Sequence, residues 1–212
     1  MVSADKNNIT YTGELLRKTI HLSSAAIPVG AFLFSESDYL LILTALLVFA
    51  VTVEFLRHAF QPIRKFFNSV FGQLLRQHET AEKGVHLSGA TYVLLAAWIT
   101  AHVFPVVIMV QAMLFLSIGD TMAALIGRKY GKTRFLKKSL EGTLAFFLSS
   151  VVIVLVTPKM GFGTVEYVFG ILVAGITAIA ENITPEQIDD NLSISLISST
   201  LLYCLYAIFL PM

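Results

Sequence analysis

Cysteine is almost absent from this chain: one residue, Cys204, in 212. A lone cysteine excludes an intrachain disulfide and leaves the redox compartment unread. Inside a late apolar run it reads as a small packed hydrophobe. Charge is scarce as well. Charged residues make up 14% of the chain against 56% apolar, where a soluble domain carries about 25% charged. That excludes an ordinary water-soluble domain. The net charge of +1 gives no electrostatic reason to expect nucleic acid as a partner. Fixed-period repeats, low-complexity tracts and linkers are also missing, so residues 1–212 read as a single membrane-embedded domain. The polar start is longer than the leading region of a secretory signal, and no clear cleavage site follows it. The first apolar stretch therefore reads as a retained span.

What the chain does have is long apolar runs. A spanning helix needs about 20 mostly apolar residues. Seven segments qualify or come close: 19–35, 39–56, 88–104, 105–126, 142–157, 165–181 and 192–210. The expected fold is all-α, a polytopic membrane bundle of about seven helices. The third and fourth segments meet at "HVFP", which predicts a tight hairpin with Pro105 opening the fourth helix. With the N-terminus cytoplasmic, 14 of the 15 lysines and arginines fall on the inner face and only Lys159 on the outer, which is the asymmetry expected of cytoplasmic loops. The connection 57–87 spaces Phe60, Ile63, Phe66, Phe67, Val70, Phe71, Leu74 and Leu75 among basic residues at helical intervals. It reads as an amphipathic helix on the inner leaflet or against the protein itself.

Ionisable residues inside spans are costly, from about 2.5 kcal/mol upward at the bilayer centre, and so mark candidate sites. Asp120 lies seven residues before Gly127, about 10 Å in from the inner end of the fourth segment. Glu54 and Glu181 stand near the inner ends of the second and sixth, and Asp189, Asp190 and Asn191 precede the seventh. Glu14, Lys18 and His21 share one helical face before the first segment, and Glu82 and His86 share one before the third. "TPEQ", Thr184 to Gln187, reads as a helix start with Thr184 as cap. All of these fall at one cytoplasmic mouth. Among the acids only Glu36, Asp38 and Glu166 fall on the other side.

Carboxylates at depth need cations, and hard oxygen ligands suit magnesium or another divalent ion, which takes one or two carboxylates plus phosphates. The loop "GRKYGKTRFLKKS" supplies point charges for a polyphosphate. It is not a P-loop: Gly127 and Gly131 enclose three residues where that motif needs four, and the loop follows a membrane helix rather than a strand. Gly119, Ala123 and Gly127, four apart, read as a close-packing stripe.

The chain resembles the CTP-dependent lipid kinases (dolichol, phytol, farnesol and diacylglycerol kinases), a group related to phosphatidate cytidylyltransferases. The resemblance rests on "ELLRKTIHL" (14–22), "VEFLR" (53–57), "EKGVHLSGATYVLL" (82–95), "GDTMAALIGRKYGK" (119–132), "KKSLEGTLAFF" (137–147) and "AENITPEQIDDNLSISL" (180–196). One departure is Ser195, where the family often has proline. The resemblance implies CTP as phosphate donor, a divalent metal and a membrane-borne lipid alcohol as acceptor. It associates Gly119, Asp120, Lys138, Ser139, Glu141 and Gly142 with CTP, and maps the acidic motif onto Asp189, Asp190 and Asn191.

On this reading Asp120, helped by Asp190 or Glu181, holds the metal, with Asp189 in the same acidic set. Lys132, Lys137 and Lys138 clamp the triphosphate, and Glu141 or Glu181 accepts the hydroxyl proton. Glu14, Lys18, His21, Glu54 and Glu82 complete the mouth. The alternatives are a cytidylyltransferase forming a CDP-lipid and, more remotely, a transporter. A transporter should place its polar residues near the midplane with access from both faces. The acceptor lipid and the oligomeric state are not legible.

Overall fold

Val106–Tyr130 forms the axis of the bundle in the computed structural model, which describes residues 11–71, 87–185 and 189–210, with side chains from Leu15 to Val70 and throughout the later two ranges. In chain order the helices are α1 (Tyr11–Ser23), α2 (Ala26–Gly30), α3 (Glu36–Ala59), α4 (Gln61–Phe71), α5 (Gly89–Val103) and α6 (Val106–Leu114). Then come a π-helical segment (Phe115–Asp120), α7 (Thr121–Tyr130), α8 (Leu140–Val156), α9 (Thr164–Ile183) and α10 (Asp190–Phe209). A two-residue antiparallel hairpin, β1 (Arg134–Phe135) and β2 (Lys138–Ser139), sits between α7 and α8.

Among the described residues, Glu36–Ala59, Val106–Tyr130, Thr164–Ile183 and Asp190–Phe209 are long and apolar enough to cross a membrane, while Gly89–Val103 and Leu140–Val156 are apolar but shorter. The chain is an all-α integral membrane protein. Burial separates the roles of the long helices. The axial helix is 72% buried over its apolar window, α3 only 17%, so α3 turns Leu41, Phe49 and Phe55 outward. Around the axis, α7 packs on α8, α8 on α9, α9 on α10, α10 on α5 and α6, and α5 on α3. Phe115, Leu116, Met109, Met113, Phe146 and Val154 fill the core between them.

The α7–α8 crossing needs small residues. A Cβ on Gly142 would lie 2.9 Å from the Ala123 carbonyl oxygen, and one on Gly127 3.0 Å from Ser139 Oγ. The stripe read from the sequence is therefore a helix-packing face. Helix starts follow ordinary capping. Ser35 Oγ accepts from Asp38 N at 3.2 Å, Ser139 Oγ from Gly142 N at 3.2 Å, and Pro105 opens α6 after the α5 hairpin.

Two expectations change. Segment 19–35 is not one helix. The Ser23 and Ser24 hydroxyls donate to the Ile20 and His21 carbonyls at 2.6 Å each, and Pro28 has no N–H to continue the ladder. The chain breaks there into α1, α2 and turns. The helix expected to start at Thr184 starts instead at Asp190, because Asp189 captures the capping role by accepting from Asn191 N at 2.9 Å. Gln187 lies outside the described residues. At Ser195 the hydroxyl donates to the Asn191 carbonyl at 3.0 Å, and α10 runs unbroken where a proline would interrupt it.

Candidate active site

Asp120 closes the π-helical segment, which widens the axial helix at that point; π-turns are rare and concentrate at functional sites. Its carboxylate is buried and receives the Lys18 ammonium from α1 across 102 residues of sequence. His21 Nε2, one turn on from Lys18, lies 3.4 Å from the same oxygen and 3.2 Å from the Leu116 carbonyl. Ser24 and Ser117 meet at 2.9 Å just beyond. The helical face shared by Lys18 and His21 thus docks on the aspartate, bringing together the first and fourth apolar segments.

A second cluster stands at the same end of the bundle. Lys138 Nζ, from β2, lies 2.5 Å from Glu181 Oε1 at the end of α9 and 3.5 Å from Asp190 Oδ2 at the start of α10. Asn182 fixes the hairpin that carries Lys138. Its side-chain oxygen accepts from the backbone N–H of Lys137 at 2.9 Å and of Lys138 at 3.1 Å, and its amide donates to Thr143 Oγ1 at 2.7 Å. Lys137 Nζ donates to the Ile183 carbonyl at 2.7 Å, one of the carbonyls that α9 leaves without an intrahelical partner. Burial pulls the Lys138 ammonium toward lower pKa, but the charges of Asp190 and Glu181 outweigh it and hold the value above that of an ordinary lysine. Lys138 therefore stays charged throughout the neutral range. The stabilisation it contributes fades only as pH rises through that raised value. Its charge also reaches Asp120, so the two clusters share one field.

Not every expected residue joins them. Glu54 pairs with Arg57 on its own helix and accepts from Ser88 N at 2.9 Å and Thr91 Oγ1 at 3.1 Å. Arg57 lies 5.0 Å over the Phe67 ring and so ties α4 to α3. Glu141 accepts from Thr133 N at 3.0 Å and closes the turn after α7. Gly119 and Gly142 stand in helix crossings: a Cβ on Gly119 would meet the Phe146 ring at 3.1 Å. Ser139 caps α8, and Asn191 Nδ2 donates to Asp189 at 2.7 Å. Lys132 is exposed on the turn. Glu82, His86 and the side chain of Glu14 lie outside the described residues. Asn182 was missed as a site residue; its signal is an amide beside Glu181 inside an apolar helix, fully buried here.

Carboxylate oxygens from Asp120, Glu181 and Asp190, with no sulfur or imidazole required, are the donor chemistry that magnesium accepts, one or two per ion beside phosphate oxygens. A larger protein shell is not formed: among the described residues no three of His, Cys, Asp and Glu converge. Of the three acids Asp120, Asp189 and Asp190, Asp189 also caps α10 through Oδ1.

No protein-family model matches the chain, and no solved structure does. Among curated proteins it is 32% identical over 204 residues to an uncharacterised protein of Rickettsia prowazekii, covering 93% of this chain and 95% of that one. It is 32% identical over 167 residues to CTP-dependent diacylglycerol kinase 1 of Schizosaccharomyces pombe, covering 73% of this chain and 75% of the kinase. A shorter stretch of 43 residues is 49% identical to dolichol kinase of Saccharomyces cerevisiae, covering 19% of this chain and 8% of that enzyme.

Proposed function

This chain belongs to the family of CTP-dependent lipid kinases, and from that premise we propose that it transfers the γ-phosphoryl group of CTP to the hydroxyl of a lipid alcohol at the site built on Asp120 and Lys138. One observation carries the assignment. Buried Asp120 is neutralised by a lysine from a distant helix, and a second lysine–carboxylate cluster adjoins it at the same end of the bundle. Such pairs are held by side chains that can exchange partners when a cation or phosphate arrives.

In the reaction the lipid oxygen forms a bond to Pγ while the bond from Pγ to the bridging oxygen breaks. CDP leaves, and the hydroxyl proton passes to a carboxylate. Phosphoryl transfer of this kind depends on positioning and charge more than on covalent chemistry. Lys138 and Lys137 stand where a triphosphate would meet positive charge, with Lys132 on the adjoining turn. Glu181, buried at the cluster, is better placed to take the proton than Glu141, which is engaged by the Thr133 backbone. Asp120, with Asp190 or Glu181, would hold magnesium, which when bound neutralises charge on the phosphates. Lys18 and His21 orient Asp120 from α1.

The lysine and arginine asymmetry supports a cytoplasmic N-terminus and a hairpin end facing the cytoplasm, with the shorter apolar helices α5 and α8 also crossing the bilayer. On the same grounds α4, with Ile63, Phe66 and Val70 exposed, lies along the inner leaflet. The alternative of a CDP-lipid product receives no support from the named relatives. The test is purified protein in vesicles with CTP and magnesium, a panel of polyprenol, phytol, dolichol and diacylglycerol acceptors, and ATP as donor control. The expected product gains one phosphate by mass. A product heavier by a cytidylate, or activity with ATP alone, would overturn the reading.

A further inference from the structure

An apolar groove of about 270 Å³ opens between α8 and α9 directly beneath the hairpin. Phe135 of β1, Phe147 of α8 and Gly175, Ala178 and Ile179 of α9 line it. Its one polar lining side chain is Thr143, which is also part of the active-site scaffold. Thr143 Oγ1 accepts from Asn182, the residue that fixes Lys138 opposite Glu181. Ala178 lies one helical turn before Glu181 on α9, so the groove and the carboxylate are stacked along one face.

We propose that this groove is the acceptor slot. It holds the part of one hydrocarbon chain next to the hydroxyl of the lipid alcohol, and the hydroxyl reaches past Thr143 to Glu181 and Lys138. The inference rests on the kinase reading above. The occupant follows from what surrounds the groove. Its walls are apolar, and its outer edge is formed by Leu144 and Ile179, both about half exposed on the lipid-facing side of the bundle. Its link to the cluster proposed to act on the phosphoryl group is Thr143, which lines the groove and accepts from Asn182, the residue that holds the Lys138 backbone. The volume is a little under the roughly 300–1,000 Å³ of sites that enclose a whole small ligand. It therefore suits the head-proximal part of a chain whose remainder stays in the bilayer.

Gly175 offers the means of testing this. A Cβ there would meet only the Phe147 ring, at 3.7 Å, an ordinary contact. Gly175→Ala is thus accommodated and gives the small step of a graded pair, whereas Gly175→Phe fills the groove. Displacing about two methylenes from the slot corresponds to a roughly tenfold rise in KM for the acceptor. The KM for CTP should stay within about twofold of wild type. Leu144→Trp, on the outer edge and away from the core, is the second variant, with the same expected sign. A diazirine-bearing acceptor alcohol provides a readout independent of turnover. It should crosslink to residues 143–147 and 175–179, be competed by unlabelled acceptor, and lose that labelling in Gly175→Phe.

Unchanged acceptor KM in both variants, or crosslinking that unlabelled acceptor does not compete and that therefore reports surrounding lipid only, overturns the slot and leaves the kinase reading standing. Competed crosslinking in the groove with no phosphoryl transfer by the wild-type protein does the reverse.

Discussion

The two ends of the bundle each bury a carboxylate, and they satisfy it in opposite ways. At the end of the α8–α9 connection, Glu166 accepts from the backbone N–H groups of Met160, Gly161 and Phe162 at 2.7, 3.0 and 2.7 Å, and from Tyr206 Oη at 2.8 Å. Those donors belong to one turn and one neighbouring helix. At the hairpin end, Asp120 and Glu181 are held by the Lys18 and Lys138 ammonium groups, brought from 102 and 43 residues away. An ammonium on a flexible stem can move to a phosphate and leave the carboxylate to another cation. Burial of an acid alone does not carry the proposed site; the exchangeability of its partner does.

Substitutions at the two ends should therefore separate chemistry from stability. The largest effect is expected at Asp120. Asp120→Asn keeps the shape, removes the charge, and should lower lipid phosphorylation by about 10³-fold, roughly 4 kcal/mol of barrier, while the protein still elutes as a folded species on size exclusion. Lys138→Ala should cost about 10²-fold, the scale of losing one preorganised electrostatic group, with Lys138→Arg recovering part of it; steady-state rates at saturating lipid measure both. Glu166→Gln inverts the pattern. Turnover per folded molecule should stay within about twofold, but stability should fall by about 2–3 kcal/mol as charge-assisted hydrogen bonds to the turn weaken, read as a lower thermal midpoint in detergent. Tyr206→Phe removes one of those donors and should cost about 1 kcal/mol in the same assay, the smallest change of the four. A catalytic loss in Glu166→Gln comparable to that of Asp120→Asn would dissolve the contrast.

Much of this arrangement could be read in advance, and for definite reasons. Apolar runs placed α3, α5, the axial helix and α8 to α10 because bilayer length imposes a composition that the sequence cannot hide. The pattern of Lys18 and His21 on one face, and the isolation of Asp120 and Glu181 among apolar neighbours, marked the polar end. The π-segment at Phe115–Asp120 left no such trace, since one extra residue per turn depends on tertiary packing and not on residue type. The hairpin was hidden because its turn places Leu136, a residue that rarely adopts it, at φ 52°. Glu166 was read simply as an acid of the outer side. Only the folded turn shows three N–H groups converging on a side chain that is 1% exposed. Glu54 shows the opposite limit: its place near the inner end of the second segment marked it as a candidate of the mouth, and the fold pairs it with Arg57 on its own helix.

The central claim is that the hairpin end moves the terminal phosphoryl group of CTP onto a lipid hydroxyl, and parallel incubations with γ-³²P and α-³²P CTP test it most directly. The purified protein in acceptor-bearing vesicles should label lipid from the γ position alone, with the α label staying in CDP and unreacted CTP. Lipid labelled from the α position would contradict it.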